Sequence, residues 1–95
     1  MRFEWDLAKA RANEDKHAVS FEEAASIFRA FHINRSDVRR HYGEARFIAL
    51  GVDSNGEVLN VVYTLRGEAI RIISAWKASR YEREAYAKAQ SDRPL

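Results

Sequence analysis

The side chains best suited to chemistry in this 95-residue chain crowd one junction. Arg66, Arg71, Lys77, Arg80 and Arg83 lie within eighteen positions of one another, where an apolar run from Ala69 to Ala75 passes into a polar helix start. A strand that feeds a helix brings its last side chains to the end of a sheet. The first helical N–H groups are unpaired there, so such a junction can hold a phosphate. Twelve of the sixteen basic residues are Arg, whose planar fork matches phosphate where Lys offers a point charge. A second basic group, Arg35, Arg39, Arg40 and His41, can face the junction from a loop. A bland reading stands beside this one. Arg46 and Arg71 begin strands, where Arg often only solvates an edge. Arg80 pairs at i,i+4 with Glu84, and Lys16-His17 closes a helix whose dipole favours cations there. His17, His32 and His41 show no metal-ligand spacing, so no metal or other cofactor is expected.

The totals bound what surrounds that junction. The length suits one domain, residues 1–95, with a frayed tail from residue 91. At 46% hydrophobic and 32% charged the composition is that of a folded globular protein. There is no apolar run long enough to span a bilayer, and acids stand where a signal peptide would have its apolar core. The absence of Cys excludes disulfides, thiolate metal sites and cysteine nucleophiles. A cytoplasmic location is the default expectation. Net charge is only +2, but it is uneven. Residues 1–30 carry five basic and six acidic side chains, and residues 31–95 carry eleven and eight. On charge alone a mixed solvated surface explains as much as nucleic-acid binding does.

The elements follow from pattern and capping. Arg2 to Trp5 alternates as a short strand. Asp6 caps a helix from Leu7 to His17, rich in strong helix formers. Ser20 and Glu23 form a capping box for a second helix, with Val19 stapled against Ala24. Phe21, Ala24, Ala25 and Phe28 share its inner side, beside Ile27 and Phe31, and are expected to pack on a sheet. Ala30 to Glu44 reads as a partly ordered loop or edge strand. Arg46–Val52, Glu57–Leu65 and Ala69–Ala75 read as three antiparallel strands joined by tight turns at Asp53-Ser54-Asn55-Gly56 and Arg66-Gly67-Glu68. In the middle strand Leu59, Val61, Tyr63 and Leu65 face one way, and Asn60, Val62, Thr64 and Arg66 the other. Ser79 and Glu82 form a second capping box, opening a last helix to about Gln90. The order is β-α-α-β-β-β-α. It predicts an α+β fold: a small antiparallel sheet with two N-terminal helices on one face and the C-terminal helix on the other.

These residues match a family pattern. The pieces are Phe3-Glu4-Trp5-Asp6, Lys9, Asn13, Lys16-His17, Val19-Ser20-Phe21-Glu22-Glu23-Ala24, Phe28, and Asp37, His41, Glu44, Arg46 and Phe47 at their spacing. They continue through Gly51, Leu59, Val61, Tyr63-Thr64, Arg66, Ile70 to Ala75, Lys77-Ala78-Ser79 and Glu82-Arg83. The chain resembles the BrnT toxins of bacterial type II toxin–antitoxin systems, within the wider RelE/ParE-like superfamily. The resemblance covers almost the whole chain in order. It implies a RelE-like fold, an RNA substrate, and a cleft on the sheet that cuts RNA without metal and so inhibits translation. It also implies a BrnA-like antitoxin with a ribbon-helix-helix segment, forming a hetero-oligomer that meets operator DNA only through the antitoxin. No membrane partner is implied. Two positions depart from the pattern. Ala18 stands where the family commonly has Gly, which costs about 1 kcal/mol in a left-handed helix cap. Trp76 stands where the family typically has Arg, at the strand-to-helix junction.

Metal-free RNA cleavage uses the substrate's 2′-OH as nucleophile. It needs a base, an acid for the leaving 5′-oxygen and positive charge for the developing phosphorane. On this reading Glu44, Arg46 and Arg80 are the catalytic candidates, with a histidine as the alternative base. Tyr63, Arg66, Arg71, Trp76 and Lys77 are the RNA-binding candidates. Trp76 cannot form a guanidinium fork, but its ring can stack on a base. Two functions stay open: a ribonuclease toxin, and a catalytically attenuated toxin-like subunit that serves as an antitoxin-binding co-repressor. The first predicts a basic concave patch uniting Arg46, Arg66, Lys77 and Arg80, and those cationic groups pointing to different sides of the fold would count against it.

Overall fold

A computed structural model describes residues 1–94. The element order is β1 (Arg2–Glu4), α1 (Leu7–His17), α2 (Phe21–Ser26) with a 3-10 turn (Ile27–Arg29), β2 (His32–Ser36), β3 (Phe47–Val52), β4 (Val58–Arg66), β5 (Ala69–Lys77) and α3 (Arg80–Ser91). The caps form as the sequence dictates. Asp6 accepts from the Lys9 N–H at 3.0 Å. Both capping boxes close, Ser20 with Glu23 and Ser79 with Glu82. Ala18 takes the left-handed cap at φ 57° and ψ 33°, a conformation costly for a residue with a Cβ.

The sheet order is β1-β5-β4-β3-β2. β3, β4 and β5 form the expected meander, and β2 adds an antiparallel edge strand from the segment that left loop and edge strand open. One expectation needs correction. β1 pairs parallel with β5, so the five-stranded sheet is mixed rather than wholly antiparallel. The reason is topological: α1 and α2 carry the chain back before β2 begins, leaving β1 free to enter beside the last strand in the same direction.

β5 also slips register against β4. Val62 pairs with Ser74 and Tyr63 pairs with Ile72, so Ile73 is bulged out of the ladder. Simple alternation would set Ile70, Ile72, Ser74 and Trp76 on one face. The bulge instead keeps Ile70, Ile72 and Ala75 together in the core and sends Arg71, Ser74 and Trp76 to the other side.

The helix-covered face holds the main core. Phe21, Ala24, Ile27 and Phe28 meet Ala49, Leu59, Val61, Tyr63, Ile70, Ile72 and Ala75. Beyond β1, the free edge of β5 would expose its backbone. Asn13 on α1 closes it: its amide donates to the Ala75 carbonyl at 2.9 Å and to the Val19 carbonyl at 3.0 Å, and accepts from the Ala75 N–H at 3.0 Å. The opposite face is covered only at one end, where Tyr86 of α3 rests on Leu50, with Phe31, Ile33, Val52 and Val58 around it.

Candidate functional site

The uncovered part of that second face is where polar and cationic side chains collect. Pairing register places Arg35, Ile48, Val62, Thr64, Ser74 and Trp76 on it. The loop from Asp37 to Arg46 folds back over the sheet and is tied down by its backbone. The Asp37 N–H donates to the Arg46 carbonyl at 2.8 Å, and the Thr64 hydroxyl donates to the Ala45 carbonyl at 2.6 Å.

Two depressions result, each of about 400 Å³. One is lined by Arg39, Arg40, Tyr42 and Arg46, the other by Lys16, His17, Arg39, Ser74 and Trp76. Arg39 lines both, so together they form one groove. Cations and rings alternate along it. The Arg46 guanidinium lies 4.1 Å from the Tyr42 ring centroid, and the Arg39 guanidinium 5.5 Å from that of Trp76. The His17 ring centroid is 6.3 Å from Trp76. Rings that offer a π-face beside guanidiniums suit single-stranded nucleic acid, whose bases stack while its phosphates pair with Arg.

Arg39 is fixed from behind. Its Nε and Nη2 donate to the two Asp37 carboxylate oxygens, each at 2.8 Å, and Tyr42 donates its hydroxyl to the same carboxylate at 3.0 Å. The Arg39 fork holds Asp37 ionised far below the usual carboxylate range despite its burial, and Asp37 in turn raises the Arg39 pKa. At the other end of the face Glu82 is held below its ordinary value by the Ser79 N–H it caps, with Asn60 donating to it as well.

The structure gathers some of the residues picked from sequence and scatters others. Trp76 and Arg46 line the groove. Glu44 sits behind Arg46, joined to it at 3.2 Å and to Arg66 at 3.6 Å, so its charge is spent on two guanidiniums at the far end of β4. Arg71 is neutralised by Glu4 at 2.8 Å. Arg80 is 86% exposed and paired with Glu84, away from the loop. Lys77 falls on the helix-covered side; Glu23 there is held below its ordinary value chiefly by the Ser20 N–H it caps, with Lys77 the least contributor. Tyr63 is in the main core between Phe28 and Phe47, with its hydroxyl donated to Asn34 at 2.7 Å, and burial raises its pKa. The patch uniting Arg46, Arg66, Lys77 and Arg80 is therefore not formed: nine-residue strands separate its two ends. Sequence reasoning placed Arg39 only within a basic loop able to face the junction, and gave His17 a sufficient local explanation at a helix terminus, so neither was singled out as a site residue. The signal for Arg39 was Asp37 two residues before it, an acid just ahead of the Arg39-Arg40-His41 run.

A family model described as ribonuclease toxin, BrnT, of type II toxin–antitoxin system matches residues 5–82. Among solved structures the chain is similar to the Brucella abortus ribonuclease toxin BrnT, with a TM-score of 0.62 and 24% identity over 84% of this chain and 99% of that one. No curated protein sequence matches it. No helix among the described residues is long and apolar enough to cross a membrane.

Proposed function

This chain belongs to the BrnT family of ribonuclease toxins of type II toxin–antitoxin systems, and on that footing we propose that it cuts RNA in the groove between α1, β5 and the Asp37–Arg46 loop. The observation that carries the reading is the group Arg39, Trp76 and His17, a guanidinium and an imidazole on either count within 6.3 Å of one indole ring. A base stacks at Trp76, and Arg39 with Arg46 takes the flanking phosphates. His17 removes the 2′-OH proton. The 2′-oxygen then bonds to phosphorus as the bond to the 5′-oxygen breaks, and the imidazolium returns a proton to that leaving oxygen. Guanidinium charge offsets the developing phosphorane. RNA cleavage of this kind would inhibit translation, and a cognate DNA-binding antitoxin of the ribbon-helix-helix kind would neutralise it in a hetero-oligomer.

Arg39 also bears on the departure at position 76. The family pattern supplies a guanidinium from the strand, and here one arrives from the loop, 5.5 Å from the Trp76 ring. A second reading keeps its footing in Trp76 itself: with the strand arginine gone, the chain is an attenuated toxin whose remaining role is antitoxin binding and co-repression. One assay separates the two. Purified protein is incubated with RNA in chelator, alongside Trp76→Arg and His17→Ala. Under the first reading the chain cuts, Trp76→Arg still cuts but binds RNA more weakly for want of the indole stack, and His17→Ala lowers kcat by about 10² to 10⁴. Cutting by Trp76→Arg alone would establish the attenuated reading instead.

A further inference from the structure

We propose that Asp37 is the positioning residue of this groove: it touches no substrate, but sets where Arg39 and Tyr42 present their charge and ring. This rests on the groove being the RNA site. Asp37 immediately follows the last residue of β2 and is anchored by its N–H to Arg46. Its side chain is fully buried, with 0% exposure, while the Arg39 side chain it binds is 54% exposed. A buried carboxylate under a surface loop has a cost that only its partners offset. All its partners belong to the groove. The Arg39 backbone N–H donates at 3.2 Å, the Arg39 fork donates twice, and the Tyr42 hydroxyl donates once.

The consequence is pre-organisation. An arginine side chain loses much rotamer freedom when it binds a phosphate, and one already held by a two-point fork loses less. The fork uses Nε and Nη2, which leaves the Nη1 side for an incoming anion. Tyr42 is likewise held at its hydroxyl, which orients its ring under Arg46. One carboxylate thus fixes a guanidinium in one depression and a ring in the other. An Arg with no such support would sweep the solvent above Trp76.

The test measures binding of a labelled single-stranded RNA to the full chain, to Asp37→Asn, to Arg39→Ala and to the double variant, with thermal melts on each. Asp37→Asn is expected to weaken binding about tenfold, because the charge-assisted fork is lost. In the Arg39→Ala background the same change should add much less than it costs alone, leaving only the part that runs through Tyr42. Arg39→Lys keeps the charge without the fork and should lose nearly as much as Arg39→Ala; it decides the matter alone should Asp37→Asn fail to fold. Binding by Arg39→Lys at the natural level would overturn the inference. So would an additive loss in the double variant, which is the mark of a residue that only stabilises the loop. Natural binding by Arg39→Ala would remove the groove reading itself, and this inference with it.

Discussion

The two faces of one sheet treat aromatic residues in opposite ways. On the helix-covered face Tyr63 is 8% exposed, ringed by Phe28 and Phe47, with its hydroxyl satisfied by Asn34. On the other face Trp76 stays partly exposed beside Arg39 and His17. Tyr63 sits on the central strand β4 and Trp76 on β5 beyond the reach of β1, yet both read equally well from sequence as groups that stack on a base. What separates them is the neighbour across the sheet. The first face meets α1, α2 and the 3-10 turn, with Phe21 and Phe28 packed on it and Trp5 added from the link between β1 and α1. The second meets a basic loop and the single anchoring ring of Tyr86. The proposed site falls on the face that no helix fully covers, where cations fill the place a core would take.

The sharpest way to break that contrast is to truncate one ring on each face. Phe21 is wholly buried, at 0% exposure, and touches Trp5 edge-on. Phe21→Ala should lower unfolding free energy by about 3 to 5 kcal/mol in urea titration, a large share of the stability of a domain this size. Trp76→Ala should leave stability within about 1 kcal/mol while weakening single-stranded RNA binding by about 1 to 3 kcal/mol, the usual worth of one base stack. Equal destabilisation by both would mean that the groove is an extension of the core, and the comparison would collapse.

Much of the helix-covered face could be read in advance. The capping boxes at Ser20 and Ser79, the Asp6 cap, the apolar side of Phe21-Ala24-Ala25-Phe28 and both hairpin turns are local signals, and local physics decided them. The open face was less legible because its key features are not local. The bulge at Ile73 inverts the alternation of β5, and nothing within Ile70 to Ala75 announces it. Arg39 reaches Trp76 across 37 positions of sequence. The role of Asn13 is non-local too: from a helix of polar residues it acts as a surrogate strand for Ala75, 62 positions away. Asn13→Ala leaves the Ala75 N–H and carbonyl without partners at the sheet edge. It should destabilise the fold by about 2 kcal/mol. Because Trp76 is the next residue, it should also raise amide exchange there, bringing disorder from the covered side into the groove. A variant that lost stability with no change in exchange at Ser74–Lys77 would show the two faces to be mechanically separate.

The smallest effect tests whether the two faces share a hinge at the end of α1. Ala18 holds the left-handed region at φ 57°, directly after His17. Ala18→Gly removes the Cβ clash, worth about 1 to 2 kcal/mol. It also adds unfolded-state freedom, which takes back about 0.5 to 1 kcal/mol. The difference predicts a gain of roughly 0.5 to 1 kcal/mol, read as a melting-temperature rise of a few degrees. The Ala18 N–H already donates to the Glu14 carbonyl at 2.9 Å, and glycine keeps that bond. His17 should then keep its place beside Trp76, and RNA cleavage should be unchanged. If cleavage falls while stability rises, the alanine is holding His17 in a strained position that the chemistry uses. The groove would then depend on the covered face for geometry as well as for support.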